Sequence, residues 1–213
     1  MTVLAFTVTG VRAEKYAAAP TLVFRLRIEE VSGVPIHAIL LRCQLQIEPR
    51  RRPYSEAERA RLLELFGAPE RWRDTLHSVL WAHVNLTVPA FEHRIDIDLP
   101  VPCTYDFEVA SGKYLHAMEG GEVPLLFLFS GTVFAQSENG YQIQQVPWDR
   151  QAEFRLPAAV WRELMDAYFP GCGWIRLRRE SLDAFERFKA ERALPTWEDA
   201  LEALLETARE PAP

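Results

Sequence analysis

The chain has 213 residues, 48% of them hydrophobic and 11% aromatic, and carries 24 basic against 30 acidic side chains for a net charge of −6. A chain of this size buries roughly 70% of the surface that its unfolded form exposes, which excludes intrinsic disorder, and its negative balance repels phosphate backbones at long range. The three cysteines, Cys43, Cys103 and Cys172, are far apart and lack C-x-x-C spacing, so they read as reduced thiols and not as a zinc or redox pair.

The N-terminal "MTVLAFTVTGVRAEK" has apolar residues at strand-like spacing, without the basic start and unbroken apolar run of a signal peptide. No run approaches the roughly 18 apolar residues of a membrane helix, so a cytoplasmic protein without membrane insertion is expected. In "TLVFRLRIEE", Leu22, Phe24, Leu26 and Ile28 alternate with polar residues, as in a half-buried strand. After the turn "VSGVPI", Ile36, Ala38 and Leu40 stay in phase, and then Leu41, Cys43, Leu45 and Ile47 take over the apolar face. That slip predicts a bulge within a long strand.

Ser55 followed by Glu58 spells a capping box, Gly67 fits a helix end, and Pro69 opens a second helix carrying Trp72 and Leu76. A helical insertion is expected over 55–78. Strands are then expected in "LWAHVNLTVPAF", "HRIDIDLPV", "TYDFEVASGKYLHAM", "VPLLFLFSGTVF" and, after the Asn139-Gly140 hairpin signal, "YQIQQVPW". The unbroken Leu125–Phe129 run predicts a strand covered on both faces. Past Pro157, Val160, Trp161, Leu164, Met165, Tyr168 and Phe169 recur at helical spacing until Pro170-Gly171. A strand at 174–178, a helix over 181–192 and a helix capped by Thr196 and Asp199 complete the chain.

About eight short strands without alternating helices predict a mainly β fold with α additions, an antiparallel Ig-like β-sandwich or open barrel. The expected organisation is a sandwich over 1–156 with the insertion at 55–78. A C-terminal helix-strand-helix-helix segment, 157–213, is expected to pack on it as one globular unit.

The tail's strand-helix-helix order is that of ribbon-helix-helix repressors, with Arg176 and Arg178 as the outward DNA-reading side chains. Against this, Glu198 and Asp199 sit at a helix start where a phosphate needs positive potential, and from Trp174 to Glu210 seven basic residues face nine acidic ones. Nucleic acid is therefore not the expected partner, whereas a homodimer formed through the tail is compatible with the pattern. The histidines, His37, His77, His83, His93 and His116, never take a metal-binding helical spacing. Cys103, Tyr105, Asp106 and Glu108 form the closest thing to a chemical cluster, and nothing in the sequence supplies the base that a thiolate needs. No catalytic residue, metal site or cofactor is expected. The candidate partner-binding residues are Trp81, Trp148 and Trp174, together with the run Arg50, Arg51, Arg52 as a patch for an acidic partner. Trp161 belongs to the same aromatic set and reads as core.

The runs "VPCTYDFEVASGKYLHAMEGGEVPLLFLFSGTVF", "VPWDRQAEFRLPAAVW" and "YFPGCGWIRLRRESLDAFERFKAERALPTWEDALEALL" resemble the bacterial domain of unknown function 6084. The resemblance spans nearly the whole chain and brings no activity and no catalytic residues. It implies genes near those of uptake nickel-iron hydrogenases, and hence an accessory or chaperone-like role in that enzyme's biogenesis or assembly, with a hydrogenase component as partner. The expected function is that of a non-catalytic protein-binding factor, with a DNA-binding regulator as the alternative.

Overall fold

The computed structural model describes residues 2–104, 106, 109–137, 140–173 and 175–209. Two antiparallel sheets face each other as an open β-sandwich. The smaller has strands β1 (Leu4–Ala13), β2 (Thr21–Glu30) and β5 (Arg94–Pro102) in the order β1-β2-β5. The larger places β4 (Val79–Val88), β3 (Ile36–Ile47) and β6 (Glu122–Ser137) side by side. Along the far edge of β6 run β7 (Gly140–Gln145) and β8 (Gln151–Pro157).

The alternation read from the sequence places the core. Leu22, Phe24, Leu26 and Ile28 of β2 point inward at 0% exposure, opposite Leu41, Cys43, Leu45 and Ile47 of β3 and Leu125, Phe127 and Phe129 of β6. Aromatic rings join the two layers. Phe6 stacks on Phe129 with centroids 4.3 Å apart, and Phe24 meets Phe127 edge-on at 5.2 Å.

The phase slip in β3 is present but lies earlier than the sequence suggests. The register against β6 shifts between Ile36 and Ala38, so Ile39 points inward and Leu40 outward at 51% exposure. The covering expected over both faces of Leu125–Phe129 is also corrected: Leu126 and Leu128 lie half-exposed on the outer face, because no layer of the sandwich lies beyond the larger sheet there. A third correction concerns "ASGKYLHA", which is helix α4 (Ala110–Ala117) and not a strand. Its buried residues Ser111, Tyr114, Leu115 and Met118 follow helical spacing, and Gly112 lets it approach the Asp106 carbonyl, 2.6 Å from where a Cβ would sit. Asn139 of the hairpin signal lies outside the described residues, and β6 and β7 pair antiparallel on either side of it.

The insertion forms as expected. Ser55 and Glu58 make a reciprocal capping box at the start of α1 (Glu56–Arg61), followed by α2 (Leu63–Phe66), a 3-10 turn at Pro69–Arg71 and α3 (Trp72–Thr75). Helix α5 (Ala158–Tyr168) buries Trp161, Leu164 and Met165, and the Tyr168 hydroxyl reaches the Ala17 carbonyl at 2.9 Å.

The chain divides into two compact units, 1–173 and 174–213, so α5 belongs with the sandwich and the boundary follows Gly173. In the second unit the strand expected at 174–178 is not found among the described residues. Residues 175–178 form no ladder among the described residues, and Trp174 lies outside them. The unit consists of α6 (Arg179–Glu191) and α7 (Trp197–Arg209). Thr196 caps α7 through reciprocal bonds with Asp199, and Phe185 packs on Trp197 at 5.3 Å.

Two local features fix the sandwich. Gly131 in β6 has φ +146°, and a Cβ there would stand 2.1 Å from the Leu40 carbonyl oxygen. Gly131→Ala is expected to cost about 2–3 kcal/mol, read as a lowered urea midpoint. The Glu30 carboxylate closes the β2–β3 turn by accepting bonds from the backbone N–H groups of Val3, Ser32 and Val34 at 3.0, 3.1 and 3.0 Å, and from the Ser32 hydroxyl. Burial alone would raise its pKa, but the bonds from Ser32, Val3 and Val34 prevail and hold it below the ordinary 4.5. The stabilisation is therefore complete above 4.5 and vanishes as pH falls through the folded value. Glu30→Gln should cost about 2 kcal/mol at neutral pH, and the difference in urea midpoint between variant and parent should close on acidification.

Candidate functional site

The outer face of the five-stranded sheet brings together side chains from all of its strands. Antiparallel pairing aligns them in rows: Thr87, Leu40, Thr132 and Gln145; then Asn85, Arg42 and Ser130; then His83, Gln44, Leu128 and Gln151; then Leu80, Gln46, Leu126 and Glu153. The β7 residues Tyr141 and Ile143 extend the first end of the face at 59% and 64% exposure. Trp148, in the turn between β7 and β8, is 93% exposed and lines a shallow depression with Arg42, Gln44, His83, Asn85 and Ser130. A central band of hydrogen-bonding groups thus lies between two apolar ends. Within that band Arg42 Nε donates to Asn85 Oδ1 at 3.3 Å, and Gln145 Nε2 donates to Thr132 Oγ1 at 3.3 Å.

This gathering has a local cause. Between Leu45 and Gln46 the register against β4 shifts from Ala82 to Leu80, leaving Trp81 as the extra residue of a bulge. Trp81 is half-buried and meets Phe24 edge-on at 6.4 Å, so it packs towards the core. Of the tryptophans proposed from the sequence, Trp148 alone is shown on the open surface. Trp161 is core, and Trp174 lies outside the described residues.

The arginine run serves the protein's own fold. Arg50 donates to the carbonyls of Leu76 at 2.5 Å and Arg73 at 2.8 Å, tying down the far end of the insertion. Arg51 pairs with Glu153 of β8 at 2.6 Å. Arg52 is buried with Glu58, their side chains 9% and 4% exposed and 2.8 Å apart, and its guanidinium lies 5.1 Å from the centroid of the Tyr54 ring. The other Glu58 bonds go to the backbone of Ser55 and Glu119, both at 3.0 Å, so the pair is fully engaged. The acidic partner expected for Arg52 is therefore internal. Beside it, the Tyr54 hydroxyl donates to the Pro49 carbonyl at 2.8 Å and accepts from Tyr114 at 2.7 Å. Burial pushes Tyr54 up to about 12 and Tyr114 further still.

The chemical cluster suggested by the sequence does not assemble a nucleophile. Cys103 is buried and burial raises its thiol to about 12, as it does for Cys43. Tyr105 and Glu108 lie outside the described residues, and the Asp106 amide bonds to Thr104 Oγ1 at 3.0 Å. His37 stacks against Tyr141 at 4.3 Å, while burial and then the charge of Arg61 hold His116 below its usual value. Among the described residues no three His, Cys, Asp or Glu side chains converge to hold a metal. Arg176 and Arg178 are exposed in the extended lead into α6, and Arg178 is its N-cap residue.

The outer-face residues Arg42, Asn85, Ser130, Tyr141 and Ile143 went unnoticed in the sequence. The signal for Arg42 was there, since "LRCQLQI" sets Arg42, Gln44 and Gln46 on the face opposite the core residues.

The family of unknown function DUF6084 matches residues 1–213, and the chain belongs to it. No curated protein matches the chain. Among solved structures, similarity is found to the CARDB domain of a Pyrococcus furiosus protein, in complex with di-metal ions, at 8% identity and TM-score 0.28, over 73% of this chain and 92% of that one. A protein from Archaeoglobus fulgidus is similar at 11% identity and TM-score 0.28, over 70% of this chain and 96% of that one. Beta-glucosidase 3B from Thermotoga neapolitana is similar at 13% identity and TM-score 0.25, over 72% of this chain and 17% of that one. Likenesses this distant carry no argument about function.

The arginine geometry separates fold from recognition. Arg52→Ala strands the buried Glu58 and should cost about 3–5 kcal/mol in chemical unfolding. Arg51→Ala, at a 43% exposed side chain, should stay within about 1 kcal/mol.

Proposed function

We propose that the protein is a non-catalytic, cytoplasmic accessory factor that binds another protein through the outer face of its five-stranded sheet. The observation behind this reading is the face itself: exposed Leu40, Leu80, Tyr141, Ile143 and Trp148 around a band of Arg42, Gln44, Asn85 and Ser130. Protein interfaces combine these features, with aromatic and arginine anchors among apolar contacts and hydrogen bonds to fix register. The mixed donors and acceptors suit peptide and side-chain groups, and Trp148 supplies a large apolar area at the rim of the depression.

The partner that the family resemblance implies is a component of a nickel-iron hydrogenase, held in a chaperone-like way during assembly. The absence of a helix long and apolar enough to cross a membrane among the described residues is compatible with this role. The test is titration of the purified chain against the hydrogenase structural subunits of the same organism, immobilised one at a time. Saturable binding to one subunit is expected, with Trp148→Ala weakening it about 30-fold, the scale of a single interface anchor. Binding to none of the subunits would overturn the hydrogenase assignment. Binding unaffected by Trp148→Ala and by Ile143→Asp would overturn the choice of face.

A further inference from the structure

The outer faces of the two sheets are neutralised differently. On the smaller sheet Arg12, Arg25 and Arg27 pair with Asp98 and Asp96 at 2.8–3.4 Å, so each guanidinium meets a carboxylate of its own chain. On the larger sheet Arg42 does not. It donates from Nε to Asn85 Oδ1 at 3.3 Å, and among the described residues no carboxylate pairs with it. Glu153 stands two rows away and is held by Arg51 at 2.6 Å, and Asp149, beside Trp148, is met by Arg150 at 3.6 Å.

The row that holds Arg42 is a row of donors. A guanidinium cannot accept a hydrogen bond, so Asn85 has to turn its oxygen to Arg42, which leaves its amide nitrogen to donate elsewhere. Ser130 flanks Arg42 on the other side and exposes its hydroxyl. Shallow depressions open on either side of this row. One is lined by Trp148 and His83 and the other by Leu40 and Gln145, with Arg42, Asn85 and Ser130 common to both. Donors aimed at one place, without a negative charge to receive them, call for an anionic acceptor, and the flanking depressions call for apolar groups beside it. In an extended segment alternate side chains share a face, so the pattern apolar-x-acid-x-apolar fits this spacing. The net charge of −6 repels broadly acidic or phosphate-rich surfaces, which leaves a single carboxylate among apolar neighbours as the matching chemistry.

We propose that the Asn85–Arg42–Ser130 row receives one Asp or Glu side chain of the protein partner, with the apolar residues two places before and after it seated against Trp148 and Leu40. This rests on the reading of the outer face as the binding surface and adds the chemistry of what that surface takes. The terminal amines of Arg42 form the fork that holds the carboxylate, and the Asn85 amide and Ser130 hydroxyl donate beside it.

The test titrates the full chain, labelled with nitrogen-15, with two acetylated and amidated peptides, Leu-Ser-Glu-Ser-Leu and Leu-Ser-Gln-Ser-Leu, and follows the side-chain N–H resonances of Arg42 and Trp148. The Glu peptide should shift both and bind at least about 10-fold more tightly than the Gln peptide, the scale of a charge-assisted hydrogen bond. Arg42→Gln should erase that difference, and so should Asn85→Asp, which gives Arg42 a carboxylate of its own chain. Equal binding of the two peptides, with Trp148 still shifting, overturns the carboxylate and leaves the face as the binding surface. A Glu peptide that moves neither resonance, or whose preference survives Arg42→Gln, also overturns the proposal, while the face itself stands or falls with Trp148→Ala in the subunit titration. Inorganic sulfate that displaces the Glu peptide at equal concentration overturns the assignment to a protein side chain.

Discussion

The pairing of β6 with three other strands is the constraint on which the sandwich rests. One edge of its 16 residues is taken by β3, while the other is divided between β8 near its start and β7 near its end. The division falls at Gly131, whose carbonyl accepts from Val146 at 2.9 Å while Phe129 N–H donates to the Arg150 carbonyl at 2.9 Å. The backbone there lies against Leu40 with no room for a side chain, and the ladder to β3 runs through Gly131 without a shift in register. On either side of this point Phe127 and Phe129 face inward against Phe24 and Phe6, and the turn bearing Trp148 joins β7 to β8. Core and candidate surface thus share one origin.

The insertion follows a different logic. Its apolar contacts, Tyr54, Leu62, Phe66 and Leu76, are buried, but its orientation comes from polar groups. Glu58 serves the helix start, Arg52 and the Glu119 backbone at once. A carboxylate and guanidinium withdrawn from water are costly unless each finds several partners, and here both do. The sequence showed the capping box because its residues are three apart. It could not show that an arginine in the adjoining run completes the same network, since that depends on how the chain turns at Pro53. A basic run on paper is thereby a set of tethers in space.

Similar reasons separate what else could and could not be read in advance. Strand β2 alternates cleanly, and its inward residues are those the period demands. The slip in β3 was visible as a slip, yet its position was not. Leu40 and Leu41 are both apolar, and only pairing with β6 decides which faces out. Helix α4 was hidden because glycine at 112 and tyrosine at 114 favour other conformations, and burial against neighbouring segments overrides that preference. In the tail, Ile175 and Leu177 alternate like a strand but lie exposed and unpaired among the described residues, so alternation without a neighbouring strand made no sheet. The outer face of the larger sheet escaped notice for a related reason. Its members come from five separate strands and become a surface only once register aligns them.

The split edge of β6 also sets where the sandwich yields first. No residue of β7 is buried, whereas β8 buries Ala152 and Leu156. Opening at the β7 end exposes little apolar surface, so its amide hydrogens should exchange with solvent far sooner than those of β8. Trp148 thus stands in the turn between a strand with no buried residue and one that buries two.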